Sequence, residues 1–194
     1  RAFACQADVS SEADVIHLFD AAEERFGKVT HLVNNAGILF TQSKLVDIDL
    51  ERFNQVLNSN VVSCFLCSRE AVRRFPAGSA IVNVSSLASQ TGSPFEYVDY
   101  AASKGAMDTL TKGLSREVAG SGIRVNAVRP GFIYTDMHAD GGEPGRVDRL
   151  APQIPMQRGG SAEEVANTIA WLLSDEASYV TGSFIDVAGG RECC

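Results

Sequence analysis

The chain has 194 residues, 45% hydrophobic and 21% charged, with a net charge of −7 and a pI of about 5.0. That size suits one domain with a sizeable core. The acidic balance excludes a general binder of nucleic acid or of anionic membranes, which would carry a basic footprint.

Residues 2–7 read as a short buried strand closed by Asp8. Ser10-Ser11-Glu12-Ala13-Asp14 is a helix-start signal, and Val15, Ile16, Phe19, Ala22 and Phe26 follow helical spacing up to Gly27. Residues 30–33 form the next strand and run into Asn34-Asn35-Ala36-Gly37. Asp49 caps a long helix carrying Phe53, Val56, Leu57, Asn60, Val61, Cys64, Phe65 and Ala71. After a turn at Pro76-Ala77-Gly78, residues 80–84 form a strand that is apolar apart from Asn83 and ends at Ser85-Ser86. A polar loop over 88–96 leads to a helix that opens near Tyr97 and stops at Gly120-Ser121-Gly122. Residues 123–128 are a strand ending at Arg129-Pro130-Gly131. Residues 132–160 are rich in Gly and Pro with little periodicity, the mark of a functional or mobile loop. Ser161-Ala162-Glu163-Glu164 caps a last helix through Trp171, and residues 183–187 form a last strand before Gly189-Gly190. No repeat or linker divides the chain, so residues 1–194 are expected to be a single domain.

The five cysteines are odd in number and suggest no disulfide framework. Cys64-Phe65-Leu66-Cys67 is formally C-x-x-C, but it lies inside an apolar helical pattern. Buried small hydrophobes are expected there rather than a redox or zinc centre, and no metal site is expected elsewhere. Cys193-Cys194 reads as a mobile tail. Reduced thiols, the lack of a charged-then-apolar leader and the lack of an apolar run near the roughly 20 residues of a membrane span point to a cytoplasmic protein without membrane contact.

Strands alternate with helices, and several strands are continuous apolar runs. That pattern predicts a parallel sheet covered on both faces, with ligands outside the carboxyl ends of its strands. Polar or turn-forming residues gather at those ends: Asp8, Asn34 to Gly37, Ser85 and Ser86, and Pro130 to Thr135. Turn formation explains any one of them; four strand ends at one crevice point to a site. Tyr100 and Lys104, four apart, share one helix face. Free tyrosine titrates near pH ~10. A fixed positive neighbour lowers that value, and a phenol so tuned moves a proton near neutral pH. On the spacing alone an ordinary amphipathic helix start with an exposed Lys is the better account.

The ordered set Asn34-Asn35-Ala36-Gly37, Asn60, Val82-Asn83-Val84-Ser85-Ser86, Tyr100-Ala101-Ala102-Ser103-Lys104, Arg129-Pro130-Gly131 and Thr135 resembles the classical short-chain dehydrogenase/reductase family over essentially the whole chain. The resemblance implies a doubly wound Rossmann-type sheet in three αβα layers. It implies hydride transfer between NAD(H) or NADP(H), with NADP slightly preferred, and a small carbonyl/alcohol substrate. By the same resemblance Tyr100 is the general acid/base, and Lys104 lowers its pKa and bonds the nicotinamide ribose. Ser86 polarises the substrate oxygen, and Asn60 holds a water that links Lys104 to solvent. The family's usual spacing to the tyrosine falls on Leu87, which has no hydroxyl. Ser85 and Ser86 therefore compete, and Ser86 is chosen. Asn60 has a bland alternative as a helix-kink residue bonding a local carbonyl. Tyr97 lacks a Lys four residues on and is a decoy.

For the cofactor, the resemblance places Asp8 at the adenine amino group with the Val9 backbone beside it. Asn34, Ala36 and Gly37 line the adenine ribose and central cleft, and Pro130, Gly131, Ile133 and Thr135 border the nicotinamide and phosphates. Residues 132–160 correspond to the substrate loop, with Met137, His138 and Arg146 as candidate contacts on a solvated segment. A homo-oligomer, tetramer or dimer, is implied. The family's opening strand, glycine-rich turn and helix, part of a βαβ unit of ~30 or more residues, are absent from the sequence. With them go the phosphate cradle and the residue that separates NAD from NADP, and an exposed apolar sheet flank is expected. The alternative is a truncated, catalytically silent structural or binding form of the same fold. An epimerase or dehydratase on that fold is a third reading.

Overall fold

In the computed structural model, which describes residues 2–191, four parallel strands form one sheet. In spatial and chain order they are β1 His31–Asn34, β2 Ala80–Val84, β3 Arg124–Pro130 and β4 Phe184–Val187. Register places Asn34 opposite Asn83, Val84 opposite Val128 and Pro130 opposite Val187, so the carboxyl ends of all four lie along one edge. Ile81, Val82, Val125, Ala127 and Val128 are fully buried, as residues of strands covered on both faces must be. Cys193-Cys194 lies outside the described residues.

The helices begin where their caps do. The Ser11 side chain accepts from Asp14 N at the start of α1 Glu12–Phe26. Asp49 accepts from Arg52 N at the start of α2 Leu50–Leu57, and Ser161 forms a capping box with Glu164 at the start of α8 Ala162–Leu173. Between α2 and α3 Ser63–Arg74 the chain makes a π turn over Asn58–Val62, so the long helix expected there is continuous but locally widened. Val15 and Phe19 of α1 and Leu66 and Ala71 of α3 pack on the Ile81 and Val125 face with Val118 of α5 Val98–Val118. Val165 and Leu172 of α8 pack on the opposite face with Val82 and Val128. Three layers result. The β3-to-β4 crossover lies on the opposite face from the two before it and so has the opposite hand.

Two expectations change. Residues 2–7 form no strand, because no strand among the described residues pairs with them and a ladder needs a partner. Phe3 there is 43% exposed with the Arg25 guanidinium 5.1 Å from its ring centre, and the chain joins the α1–α3 cluster at Val9. The loops are also less irregular than their composition suggests. Residues 88–96 hold α4 Ala88–Thr91, and residues 132–160 hold α6 Met137–Asp140 and α7 Arg146–Leu150. Helices this short show no period. Among the described residues no strand pairs with the outer edge of β1, where Val33 is 39% exposed, and no helix is long and apolar enough to cross a membrane.

Asn83 is the polar centre of the sheet. Its Oδ1 accepts from Asn34 Nδ2 (2.8 Å) and its Nδ2 donates to Thr111 Oγ1 (2.9 Å), while Asn34 Nδ2 also donates to Ser68 Oγ (3.0 Å). The knot ties β1, β2, α3 and α5. Removing one member leaves buried partners unpaired, so Asn83→Ala is expected to cost about 2–3 kcal/mol of stability. Urea unfolding at neutral pH measures it; an unchanged midpoint would show that the knot contributes nothing. Cys64 and Cys67 are buried beside it, and burial pushes their thiols up to about 12 and about 11. Protonated, buried thiols of this kind are inert.

Candidate active site

The first turns of α5 deliver Tyr100 and Lys104 to the carboxyl end of β2. Both are buried, at 8% and 3% exposure. Lys104 Nζ donates to Val84 O (2.8 Å), contacts Met107 Sδ (3.5 Å) and stands 5.5 Å from the centre of the Tyr100 ring. An ammonium has three N–H donors, so one remains for an incoming hydroxyl. The two serines separate by direction. Ser85 is buried and donates to Lys104 O (3.3 Å). The Ser86 hydroxyl faces the Tyr100 phenol and accepts from Ala88 N (3.1 Å).

The electrostatics differ from the expectation of a phenol tuned downward by Lys104. Burial dominates and pushes Tyr100 up to about 12, with Ser86 pulling it partway back. Burial also pulls Lys104 down to about 8, against Cys64 and Asp108. Because the Cys64 thiol stays protonated, Asp108 is the anion that acts at neutral pH. The phenol is therefore neutral there and the lysine mostly charged.

Asn60 sits in the π turn and reaches across the site rather than to a local carbonyl. Its Oδ1 accepts from Ile38 N (2.7 Å); its Nδ2 donates to Ile38 O (3.0 Å) and to Ser103 Oγ (2.9 Å). Ser103 Oγ in turn donates to Tyr100 O (2.7 Å). The Asn60 amide is thus taken up by protein. A Cβ on Gly37 would lie 3.2 Å from Asn60 Oδ1 and 3.5 Å from Lys104 Nζ, so a glycine there lets the β1 loop approach both.

The other expected cofactor contacts fall unevenly. Pro130 O accepts from Leu87 N (3.1 Å) and Gly131 N donates to Val187 O (3.0 Å), which joins the ends of β2, β3 and β4. Ile133 is 7% exposed with its side chain in the α8 core, so only its backbone can face a ligand. Ala36 and Thr135 are exposed, and Val9 is half-buried. Asn34 turns its amide inward to Ser68 and Asn83, which leaves its backbone for the cleft. Asp8 is exposed, and its Oδ1 accepts from Ser10 N (2.9 Å) and Oγ (2.7 Å), which lowers its pKa and keeps it an acceptor. The donor at Lys104 and the close approach at Gly37 fit the nicotinamide and ribose half of a dinucleotide.

Three residues carry more of the site than their sequence context signals. Asp99 is buried; its Oδ1 accepts from Tyr100 N (2.9 Å) and its Oδ2 from Arg52 Nε (2.7 Å). Ser103 is fully buried. Arg146 is 6% exposed, not solvated. An acid in a first helical turn was the only local hint of Asp99; the other two depend on partners far along the chain. His138 pairs through Nε2 with Ile133 O (3.0 Å) and is half-buried, and Tyr97 is buried with its hydroxyl donating to Gly141 O (3.3 Å).

The sequence family described as Enoyl-(Acyl carrier protein) reductase matches residues 1–192. The chain is 64% identical over 196 residues to the uncharacterized oxidoreductase YgfF of Escherichia coli, covering 98% of this chain and 79% of that protein. A short-chain dehydrogenase/reductase of Serratia marcescens, solved as a mutant, superposes with a TM-score of 0.88 at 35% identity, over 97% of this chain and 76% of that one. The 3-ketoacyl-(acyl-carrier-protein) reductase of Brucella melitensis, complexed with NADH, gives 0.89 at 34% identity, over 95% and 76%. The match along the chain, the three-layer fold and the placement of the Tyr100–Lys104 pair at the sheet's carboxyl edge agree: this chain belongs to the classical short-chain dehydrogenase/reductase family of oxidoreductases.

Proposed function

We propose that the chain catalyses NAD(P)H-dependent reduction of a small carbonyl compound to an alcohol, with Tyr100 as the acid. What supports this reading is the buried Tyr100 phenol with Ser86 facing it and the buried Lys104 ammonium 5.5 Å from its ring. A bound reduced nicotinamide supplies the hydride that adds to the carbonyl carbon. Ser86 holds the carbonyl oxygen, and Tyr100 gives its proton to that oxygen, so one hydride and one proton complete the alcohol. Lys104 offers its remaining N–H to the nicotinamide ribose and steadies the phenolate left behind. With the cofactor bound, Gly37 would let the β1 loop approach it, Pro130, Gly131, Ile133 and Thr135 would border the nicotinamide, and Asp8 with Val9 would face the adenine. A water held at the Asn60 turn returns the proton from solvent. The exposed apolar side chains Leu50, Val62 and Phe65 on the α2–α3 side suit assembly with further copies of the chain.

The test is a fluorescence titration with NADH and NADPH, which reads the cofactor choice, followed by initial rates with a panel of aldehydes and ketones. No saturable binding of either nucleotide would favour the silent form of the fold. A pH profile adds a sharper check. Reduction needs the phenol, which persists to about 12, and a charged lysine, which is lost above about 8. Reduction is therefore expected to hold steady below pH 8 and decline above it, while the reverse oxidation, which needs the phenolate, rises with pH. A reduction rate that climbs from pH 7 to 10 would contradict the assignment.

A further inference from the structure

Arg146 is buried in a segment whose composition predicts a solvated loop. It meets Glu96 through two parallel bonds, Nη1 to Oε1 (3.0 Å) and Nη2 to Oε2, and Nη1 also reaches Glu143 Oε2 (3.1 Å). Its guanidinium lies 5.3 Å from the centre of the Tyr97 ring and 5.4 Å from that of Phe132. Glu143 accepts further bonds from Arg149 and from Gln42 Nε2 (2.8 Å). Glu96 O accepts from Ser43 N (2.9 Å). Three segments meet here: the loop after β1, the entry to α5, and the α6–α7 segment.

The α6–α7 segment also packs on Leu39 and Tyr97, which stand beside Tyr100. Gly141 has φ −74°, so no backbone strain calls for glycine. Space does: a Cβ would lie 2.7 Å from Leu39 Cδ1 and 2.8 Å from Tyr97 Oη. Leu39, Tyr97 and Tyr100 pack in one cluster, and Tyr100 is 8% exposed. The segment thus borders the phenol's cluster from the Leu39 and Tyr97 side.

We propose that Arg146 is a positioning residue that latches the α6–α7 segment onto the entry to the catalytic helix, against Tyr97 beside Tyr100, and that the Glu96–Arg146 bonds part and re-form as substrate enters and product leaves. The catalytic meaning of the latch rests on the reading of Tyr100 above. The charge arrangement makes parting cheap. Glu96 is on the rim, with its side chain 32% exposed, and rehydrates readily. Arg146 keeps Glu143, which lies three residues earlier on the same segment, so no buried charge is stranded when the lid lifts. The closed state is specific because the fork geometry is bidentate and flanked by two rings.

Hydrogen exchange on the intact chain tests this without reference to turnover. In Glu96→Gln and in Arg146→Lys, which keep size or charge but lose the fork, residues 137–150 are expected to exchange about tenfold faster, with β2 and β3 unchanged. The double variant is expected to exchange no faster than either single one, since one interaction is lost in each. With a turned-over substrate, KM is expected to rise several-fold while kcat is held or raised. Exchange over 137–150 within twofold of wild type in both variants overturns the latch. So does faster exchange spread evenly over sheet and lid, which marks a general packing role. If the wild type turns nothing over, the exchange result still decides the latch, and only the reading of Tyr100 falls.

Discussion

Tyr100→Phe is expected to lower the rate of carbonyl reduction by about 10²–10⁴-fold, the range over which a positioned acid acts, with the fold left intact. The phenyl ring keeps its packing with Ala88, Tyr97 and Ala101, and only the hydroxyl is lost. Ser86, which faces that hydroxyl, keeps its bond from Ala88 N and is partly open to water, so stability should change by no more than about 1 kcal/mol. Initial rates at saturating nucleotide, beside a urea midpoint, separate the two effects. A variant that keeps most of its rate would end the assignment of Tyr100 as the acid, because the neighbouring Tyr97 has its hydroxyl on Gly141 O.

Lys104→Met is expected to abolish turnover and to stabilise the protein at neutral pH. Burial lowers Lys104 from 10.5 to about 8. At 1.36 kcal/mol per unit, holding it charged in the fold costs about 3 kcal/mol. The sign follows from proton counting. Below about 8 both folded and unfolded states carry the proton and the full cost is present. Between about 8 and 10.5 the unfolded state binds more protons, so stability rises with pH, and above 10.5 the cost is gone. Methionine removes the charge but leaves Val84 O without its donor, a loss of about 1 kcal/mol. A net gain of about 2 kcal/mol at pH 7 is expected, together with loss of the rising slope between pH 8 and 10.5. Urea unfolding at pH 7 and pH 10 checks both; a variant less stable at pH 7 with the wild-type slope would mean that the buried charge costs the fold nothing. Tyr100 contributes in the opposite sense. With its folded value pushed up to about 12, the folded state holds a proton that the unfolded state gives up above pH ~10, so stability falls from there toward 12. Tyr100→Phe should remove that fall.

The two variants together describe a site that works against the fold. A lysine held charged out of water costs the fold at neutral pH, while the buried phenol lowers stability only above pH ~10. The same burial keeps water from the place where the proton moves, and a low-dielectric setting strengthens the charge–phenolate contact that forms as Tyr100 gives up its proton.

Much of the architecture is legible in the sequence because its signals are local. Ser11, Asp49 and Ser161 cap helices by bonding amides three residues on, and the apolar runs of β2 and β3 state that both faces are covered. The i,i+4 spacing of Tyr100 and Lys104 puts them on one helix face whatever surrounds them. Residues 2–7 show the limit of such signals: strand composition is present, yet a strand exists only where another pairs with it.

What only the tertiary structure decided concerns partners distant in the chain. Ser85 and Ser86 have the same side chain, and the turn after β2 alone sends one to Lys104 O and the other to the phenol. Asn34 and Asn60 are amides of the same kind; packing buries the first in the knot at Asn83 and gives the second to Ile38 and Ser103. The direction of the Tyr100 shift follows from how deeply helix α5 is covered, which no spacing records. Arg146 reads as a loop cation until Glu96, fifty positions earlier, is brought against it. Capping and periodicity act within a turn or two of chain, so the sequence by itself determines them. Desolvation and ion pairing depend on which distant surfaces meet, and only the folded chain sets those.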